Sequence, residues 1–221
     1  MNIKIMNLEI ETKNNGPKRL FVTGIGTEIG KTVCSAVLTK YFNADYWKPV
    51  QSGDLYFSDS QKIKEWVGEH TVCHSEAYRF QLAASPHQSA KEEGITIDLN
   101  EFKLPHTPNN FIVEGAGGLM VPLNDNEFII DLIEKLNIPA ALVVRNYLGC
   151  INHTLLSILT LAQRKIKLDY LILNGDFPQD TNRIICKNLP KETKIIRIPN
   201  IEKITKESIK NTVQQLEKID S

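Results

Sequence analysis

The chain has little of what marks membrane-inserted, secreted or nucleic-acid-binding proteins. No apolar run approaches the roughly 20 residues that a membrane-spanning helix needs, and residues 1–18 lack the apolar core of a secretory signal. Its 26 basic residues balance 26 acidic ones, so the formal net charge is zero. No excess of one sign therefore favours nucleic acid or an anionic membrane as a partner. We expect a cytoplasmic protein.

Cysteine is also scarce. The four cysteines stand far apart in the sequence, at Cys34, Cys73, Cys150 and Cys186, and no Cys-x-x-Cys pair occurs. Zinc and redox motifs are therefore unsupported, and so few thiols in 221 residues argue against a disulfide framework. This length suits one large domain or, less readily, two small ones.

Short apolar runs alternate with longer segments of helical period. The predicted strands are residues 20–23, 46–50, 111–114, 140–144, 170–173 and 194–198, and the predicted helices are residues 31–42, 59–67, 127–136, 152–164, 181–188 and 206–219. Several of the apolar runs are nearly continuous, which is typical of parallel strands buried on both faces. We predict a single-domain α/β fold, with an open, mostly parallel sheet and helices on both faces.

Two segments do not fit this alternation. Residues 1–18 read as an N-terminal extension that ends in the turn-rich Asn14-Asn15-Gly16-Pro17, so the domain is expected to cover residues 19–221. Residues 75–110 read as a long irregular excursion with one helix near residues 89–93.

The strongest motif is Gly24-Ile-Gly-Thr-Glu-Ile-Gly30-Lys31-Thr32, which follows the first strand and opens a helix. This is the context of a phosphate-binding loop, whose backbone N–H groups and helix N-terminus face phosphate oxygens. Lys31 can bridge the β- and γ-phosphates, and the Thr32 hydroxyl can bind magnesium. Five residues separate Gly24 from Gly30 where the usual motif has four, so the loop is lengthened.

Other polar residues follow the later strands. Lys48, in Trp47-Lys-Pro-Val-Gln-Ser-Gly53, can stabilise developing negative charge or can simply be a solvated lysine. Asp59 can cap its helix or bind magnesium. Glu114, in Glu114-Gly-Ala-Gly-Gly118, is predicted to end its strand, where it can hold magnesium beside the phosphates, as an Asp does in many phosphate-loop enzymes, or can be an exposed residue of a structural turn. Asn174-Gly175 can be a turn or can supply an amide to an adenine edge.

Taken together, these motifs resemble dethiobiotin synthetase. The resemblance rests on residues 24–32, Lys48-Pro-Val-Gln-Ser-Gly53, Ser85-Pro-His87, Glu114-Gly-Ala-Gly-Gly118 and Leu148-Gly-Cys-Ile-Asn-His153, and it spans roughly residues 20–201. It implies a phosphate-loop NTPase fold and a homodimer with active sites at the interface. The implied reaction closes a cyclic urea from diaminopelargonic acid, carbon dioxide and ATP, with Mg²⁺ as cofactor.

The resemblance also implies roles for individual residues. The catalytic residues would be Lys48, Lys31 and Thr27, and the magnesium ligands Thr32, Asp59 and Glu114. ATP would contact Glu28, Ile29, Gly30, Lys31, Thr32, Val33, Asp59, Glu114, Gly115, Ala116, Gly117, Asn174, Gly175, Pro199, Asn200 and Ile201. Ser52 would bind the diamine, and Gly149, Cys150, Ile151 and Asn152 would receive its carboxylate from the neighbouring subunit.

The sequence departs from the family at two places. The loop often reads Gly-Thr-Asp-Thr-Glu in the family, whereas Ile25 and Gly26 stand here in place of the first Thr and the Asp. Pro199 is followed by Asn200, where some members have Trp. Both changes fall in the expected nucleotide site.

Two other functions share the phosphate loop. One is an amidoligase domain, although such enzymes usually append a glutaminase domain that this length does not accommodate. The other is a nucleotide-switch ATPase, although such switches usually carry a second lysine early in the loop, where Ile25 stands here.

Overall fold

The computed structural model describes residues 16–220. Its strands are β1 (Arg19–Gly24), β2 (Ala44–Trp47), β3 (Val50–Ser52), β4 (Cys73–His74), β5 (Tyr78–Phe80), β6 (Asn110–Gly118), β7 (Ala140–Arg145), β8 (Leu168–Asn174) and β9 (Lys194–Ile198). Its α-helices are α1 (Lys31–Tyr41), α2 (Asp59–Val67), α3 (Pro86–Glu92), α4 (Ile129–Leu136), α5 (Cys150–Gln163), α6 (Gln179–Lys187) and α7 (Lys206–Asp220).

Seven strands form one parallel sheet in the order β4-β2-β6-β1-β7-β8-β9. The central strand β1 lies between β6 and β7, and its residues from Leu20 to Gly24 are buried. Parallel strands in this position are covered on both faces, which explains the nearly continuous apolar runs in the sequence. The predicted α/β fold, with an open parallel sheet between helices, is confirmed.

The two faces of the sheet bury two apolar cores. Leu20 and Val22 point to the face covered by α1, α2 and α7, whereas Phe21 points to the face covered by α4, α5 and α6. This alternation follows from the two-residue period of a strand. Since β1 ends between the two layers, the residues that follow it lie at the carboxyl edge of the sheet, where ligands of such folds bind.

The predicted strand over residues 46–50 is wrong, because the chain forms two strands in two sheets. β2 ends at Trp47 and belongs to the large sheet, whereas β3 begins at Val50 and pairs in parallel with β5 in a separate two-stranded sheet. Pro49 has no N–H group to donate to a ladder. Its carbonyl accepts instead from the amides of Ala77 and Tyr78, so Lys48 and Pro49 form the junction between the sheets.

The segment predicted to be an irregular excursion is more regular than expected. It contributes β5, and its helix α3 begins at Pro86, a residue suited to the first helical turn. Its return to the sheet is fixed by the buried Asp45, whose carboxylate accepts from Thr107 Oγ1 at 2.6 Å and from Asn109 Nδ2 at 3.0 Å. These bonds join positions more than 60 residues apart in sequence, which local patterns do not reveal.

Most of the predicted N-terminal extension, residues 1–15, lies outside the described residues. Lys18, at the end of that predicted extension, already belongs to the fold: its amide donates to Asn110 Oδ1 at 2.8 Å and its carbonyl accepts from the amide of Phe111. Within residues 16–220, no helix is both long and apolar enough to cross a bilayer.

Candidate active site

The loop between β1 and α1 has the geometry of a phosphate-binding loop. Ile25 N donates to Val143 O at 3.1 Å, which ties the start of the loop to β7. Gly30 has φ of 85° immediately before α1, a conformation that glycine adopts without strain. A Cβ there would also lie 2.3 Å from Asn174 Nδ2, so both the backbone and the neighbouring side chain require glycine.

A cleft of about 420 Å³ opens beside this loop, at the carboxyl edge of the sheet. It collects residues from six separate stretches of sequence, which only the fold brings together. Twelve of the predicted site residues line it: Thr27, Glu28, Gly30, Lys31, Thr32, Val33, Lys48, Ser52, Asp59, Glu114, Ala116 and Gly117. The chemistry-bearing motifs of the sequence therefore converge on one cleft.

Lys48 lies at the centre of the polar residues of the cleft. Its Nζ is 2.7 Å from Asp59 Oδ2 and 3.0 Å from Glu114 Oε1. Burial disfavours the charged form of this buried lysine, but the two carboxylates more than offset that effect and raise the pKa of Lys48 above its usual value. Lys48 is consequently a permanent cation in the cleft.

Asp59 is the first residue of α2, where Ser58 caps the helix through its side chain. Burial favours the neutral form of the carboxyl, but the neighbouring Lys48 and Lys62 outweigh burial and lower the pKa of Asp59. Lys62 Nζ lies 3.2 Å from Asp59 Oδ1. Asp59 is therefore an anion held between two lysines.

Glu114 accepts three hydrogen bonds in the interior. Its Oε1 accepts from Thr32 Oγ1 at 2.8 Å and from Lys48, and its Oε2 accepts from Tyr46 OH at 2.9 Å. The prediction that the strand ends at Glu114 is wrong, since β6 continues to Gly118. The register between β1 and β6 shifts after Val22, so β6 runs on beside the loop that follows β1.

Lys31 points back to its own loop, with Nζ 3.2 Å from the carbonyl oxygen of Gly26. Burial lowers the pKa of Lys31, and the positive charge of Lys48 adds to this effect while Glu114 opposes it. The two cleft lysines thus differ: Lys48 is held in an ion-pair network, whereas Lys31 makes a contact with a single carbonyl that a phosphate can replace.

The oxygen atoms of Thr32, Asp59 and Glu114 fit the requirements of Mg²⁺. They comprise two carboxylates and one hydroxyl, which are hard ligands, and Mg²⁺ in nucleotide sites typically uses one or two carboxylates together with phosphates and water. Asp59 Oδ2 and Glu114 Oε1 already converge on a cation, the Lys48 ammonium. The arrangement is therefore suited to hold a positive charge beside the phosphate loop.

The residues expected to hold adenine lie apart from this cleft. Asn174 ends β8, and its Nδ2 donates to Ile29 O at 2.8 Å, so this amide supports the phosphate loop. Gly175 and Pro199 line a second cavity of about 350 Å³ between the ends of β8 and β9 and helix α7. Asn200 is exposed after β9, and Ile201 packs against the core on the α1 side.

Two of the residues predicted to contact the nucleotide, Ile29 and Gly115, are packed against the interior on their Cβ side. The Ile29 side chain is buried in the core, and a Cβ on Gly115 would lie 2.6 Å from the Phe21 ring. Only backbone atoms of these two residues can face a ligand. The carbonyl oxygen of Gly115 does face the site, 3.5 Å from Lys48 Nζ.

The predicted substrate-carboxylate residues do not line the cleft. Gly149, Cys150, Ile151 and Asn152 form the start of α5, where Gly149 has φ of 106°. The Cys150 side chain is buried and its N–H donates to Tyr147 O at 3.0 Å. The first-turn amides of Ile151 and Asn152 remain as donors for a ligand, since such groups have no acceptor within their helix.

Exposed apolar side chains lie just before α5 and along the helix. Leu148 is fully exposed, and Leu156 and Leu159 are 54% and 65% exposed on the same helix. Met120 adds a fourth apolar side chain from the loop after β6. An exposed apolar patch of this kind commonly marks a protein interface.

Several residues in or beside the cleft were not predicted from the sequence. Gln51 accepts from the Asp59 amide through Oε1 at 3.2 Å and donates to Gly53 O through Nε2 at 3.0 Å. Lys62 contacts the Asp59 carboxylate, and Tyr46 contacts the Glu114 carboxylate. Arg145 and Trp66 also line the cleft. Gln51 and Lys62 were detectable, since one lies in the Lys48 motif and the other one helical turn after Asp59. No motif or helical spacing in the sequence indicated Tyr46.

The sheet order, the glycine-rich loop before α1 and the acidic residue on β6 together define a phosphate-loop nucleotide-binding protein. The fold resembles that of a ParA family ATPase from Chlorobium tepidum, with a TM-score of 0.51 at 12% identity, covering 90% of this chain and 93% of that one. A family model described as an AAA domain matches residues 18–208.

Curated relatives give the family more closely. The chain is 43% identical over 194 residues to the ATP-dependent dethiobiotin synthetase BioD of Cytophaga hutchinsonii, covering 87% of this chain and 93% of that protein. It is 48% identical over 172 residues to the protein of the same name from Christiangramia forsetii, covering 77% of this chain and 83% of that protein. The chain belongs to the ATP-dependent dethiobiotin synthetase family.

Proposed function

We propose that this chain is an ATP-dependent dethiobiotin synthetase of biotin biosynthesis, which closes the ureido ring of dethiobiotin from 7,8-diaminopelargonic acid, carbon dioxide and ATP. The observation that carries the proposal is the convergence of Lys31, Lys48, Asp59 and Glu114 on one cleft beside the phosphate loop. The names of its relatives support the same reaction. The proposed location is the cytoplasm, where ATP is available.

The reaction consists of three bond-forming steps. One amine nitrogen of the diamine bonds to the carbon of carbon dioxide and loses a proton, which gives a carbamate. A carbamate oxygen attacks the γ-phosphorus of ATP and the bond to ADP breaks, which gives a carbamic-phosphoric anhydride. The second amine attacks the carbamate carbon, phosphate leaves, and loss of a proton completes the ring.

These steps need positioned charge rather than covalent help from the protein. Lys48 is suited to neutralise the carbamate and the transferred phosphoryl group, because its neighbours keep it charged. Lys31 would exchange the carbonyl of Gly26 for phosphate oxygens, as a phosphate-loop lysine does. Thr27 and Ser52, which both line the cleft, would contact the diamine or its carbamate.

Thr32, Asp59 and Glu114 would hold Mg²⁺. When bound, the ion offsets phosphate charge and orients the γ-phosphoryl group. The adenine ring would lie toward Asn174, Gly175 and residues 199–201, while the loop residues Glu28 to Val33 and the glycine-rich end of β6, Gly115 to Gly117, surround the phosphates.

We further propose a homodimer in which each diamine is held by both subunits. The seven-carbon tail of the diamine ends in a carboxylate, which needs an anchor away from the phosphates. The start of α5, residues 149–152, offers amides and the positive end of a helix to a carboxylate, yet these residues do not line the cleft of their own chain. The apolar patch around Leu148 and Leu156 would bring them to the neighbouring subunit.

The test is product formation by the purified protein with ATP, Mg²⁺, bicarbonate and the diamine. We expect dethiobiotin by mass spectrometry and ADP in equal amounts, with both lost when the diamine or bicarbonate is omitted. ATP hydrolysis that ignores the diamine would favour a nucleotide switch instead. A requirement for glutamine or ammonia would favour an amidoligase.

A further inference from the structure

Asp59 and Glu114, the two carboxylates of the cleft, are each held at one oxygen by a side chain outside the predicted site. Tyr46 OH donates to Glu114 Oε2 at 2.9 Å, and Lys62 Nζ lies 3.2 Å from Asp59 Oδ1. The other oxygen of each, Glu114 Oε1 and Asp59 Oδ2, faces the same point, which the Lys48 ammonium occupies.

Tyr46 is placed for this contact by the sheet itself. It lies on β2 beside β6, where its Cα partner is Ile112, two residues before Glu114. Both Tyr46 and Glu114 are almost completely buried, so water does not compete for the bond. An ionised carboxylate has only acceptor atoms, so the Tyr46 hydroxyl is the donor of this bond.

Lys62 is placed by helix periodicity. It follows Asp59 by three residues on α2, a spacing that brings the two side chains to the same face. Its aliphatic chain and ammonium are about one-fifth exposed at the edge of the cleft. A contact of this kind restricts rotation of the Asp59 carboxylate without covering the oxygen that faces Lys48.

We infer that Tyr46 and Lys62 are positioning residues that each occupy one oxygen of a carboxylate, so that Glu114 Oε1 and Asp59 Oδ2 are presented together to the magnesium ion of the bound nucleotide. This inference rests on the proposed function, because it concerns the metal of MgATP. Carboxylate ligands of metal sites are typically held in this way by hydrogen bonds from outside the ligand set, and loss of such a partner typically lowers metal affinity by about 10–100-fold.

The experiment measures Mn²⁺ binding by electron paramagnetic resonance in the presence of a non-hydrolysable ATP analogue. For Tyr46→Phe, which preserves the buried ring, we expect the Mn²⁺ dissociation constant to rise about tenfold. Affinity for the analogue in the presence of EDTA should stay within about twofold, as expected for a loss confined to the metal site. Tyr170→Phe is the matched control, since Tyr170 lies on β8 of the same sheet and its hydroxyl accepts a bond from Lys18 Nζ.

Lys62→Met provides a second and independent arm. Removal of a positive charge by itself would strengthen the binding of a metal cation. Weaker Mn²⁺ binding in Lys62→Met would therefore be opposite in sign to the Coulomb effect and would support positioning. Lys64→Met, on the exposed side of the same helix, is the control for loss of charge.

The outcomes separate the inference from the proposed function. Unchanged Mn²⁺ affinity in Tyr46→Phe, or tighter Mn²⁺ binding in Lys62→Met, overturns the positioning role even if the wild-type protein forms dethiobiotin. If the wild-type protein binds no Mn²⁺ with the analogue, the inference fails together with the proposed metal site. Absence of dethiobiotin formation, in contrast, rejects the proposed reaction and is read from a separate assay.

Discussion

The buried Lys48 and the partly buried Asp59 form an ion pair, with Nζ and Oδ2 2.7 Å apart. The pair joins the junction between the two sheets to the first turn of α2. Glu114 shares the same ammonium at 3.0 Å, so one lysine balances two carboxylates. In the proposed reaction the same lysine must serve a carbamate, so the carbamate would compete with Asp59 and Glu114 for Lys48, whereas Mg²⁺ would compete with Lys48 for the two carboxylates.

Replacement of Lys48 by alanine should reduce turnover by about 10²–10³-fold, the usual effect of removing one preorganised charge-stabilising group. Binding of ADP, measured by calorimetry, should persist because the phosphate loop is intact. The variant should also be less stable, since the buried Glu114 carboxylate loses its only cationic partner among the described residues, at a cost of about 3–5 kcal/mol.

Lys64→Ala is the control for this variant, since Lys64 is exposed on α2. Urea unfolding establishes what fraction of each variant is folded under the assay conditions. Near-normal turnover in folded Lys48→Ala would remove Lys48 from the catalytic role.

The Asp59 ion pair should leave a pH dependence in stability. The pKa of Asp59 is lowered in the folded protein, so the unfolded chain takes up this proton first as the pH falls. Its stabilising contribution is therefore fully present above the ordinary pKa of 3.8 and is lost as the pH falls below it, through the folded-state value.

We accordingly expect the difference in free energy of unfolding between wild type and Asp59→Asn to be largest near neutral pH and to narrow below about pH 4. Urea titrations of both proteins at a series of pH values measure it. A difference that stays constant across the acid range would contradict the assignment.

The metal assignment predicts a change in magnesium requirement. Glu114→Gln removes one charged ligand, so the Mg²⁺ concentration for half-maximal activity should rise by about tenfold or more. Asp59→Asn should act in the same direction. If both variants keep the wild-type magnesium titration while remaining folded, these carboxylates are not the ligands.

Asn174 can act on the nucleotide in two ways that an experiment distinguishes. Its amide supports the phosphate loop through Ile29 O, and loss of that bond in Asn174→Ala should weaken ATP and GTP to a similar extent, by about 0.5–1.5 kcal/mol. A direct contact with adenine would instead weaken ATP selectively. Competition binding with both nucleotides measures the ratio of the ATP and GTP affinities in the variant and in the wild type.

The shared-site proposal predicts a specific effect at the start of α5. Asn152→Asp places a negative charge in the first helical turn, where it favours the helix but repels a substrate carboxylate. The Michaelis constant for the diamine should rise in Asn152→Asp and stay nearly unchanged in the Asn152→Ser control. ATP binding should change little in either variant.

Mixed dimers extend this test. Lys48→Ala subunits combined with Asn152→Asp subunits should regain about one working site in two if each site draws on both chains. Full activity of a protein that sediments only as a monomer would reject the shared site.

The class of fold and the chemistry of the phosphate loop could be predicted from the amino acids alone, because both depend on local patterns. Apolar runs of strand length and segments of helical period are adjacent in sequence, and so are the glycines, Lys31 and Thr32 of the loop. The motifs around Lys48 and Glu114 are likewise visible as residue types at recognisable spacing, which is why the amino-acid sequence alone is sufficient to indicate the family.

Which carboxylate oxygen faces which cation depends instead on contacts between distant segments of the chain. Tyr46 and Glu114 are 68 residues apart in sequence, and the parallel pairing of β2 with β6 brings them together. The break of the predicted strand at Lys48 and Pro49 depends on a second sheet whose partner strand lies nearly 30 residues further along the chain. Contacts of this kind depend on strand order and register, which the packing of the whole sheet fixes, since no short segment contains both partners.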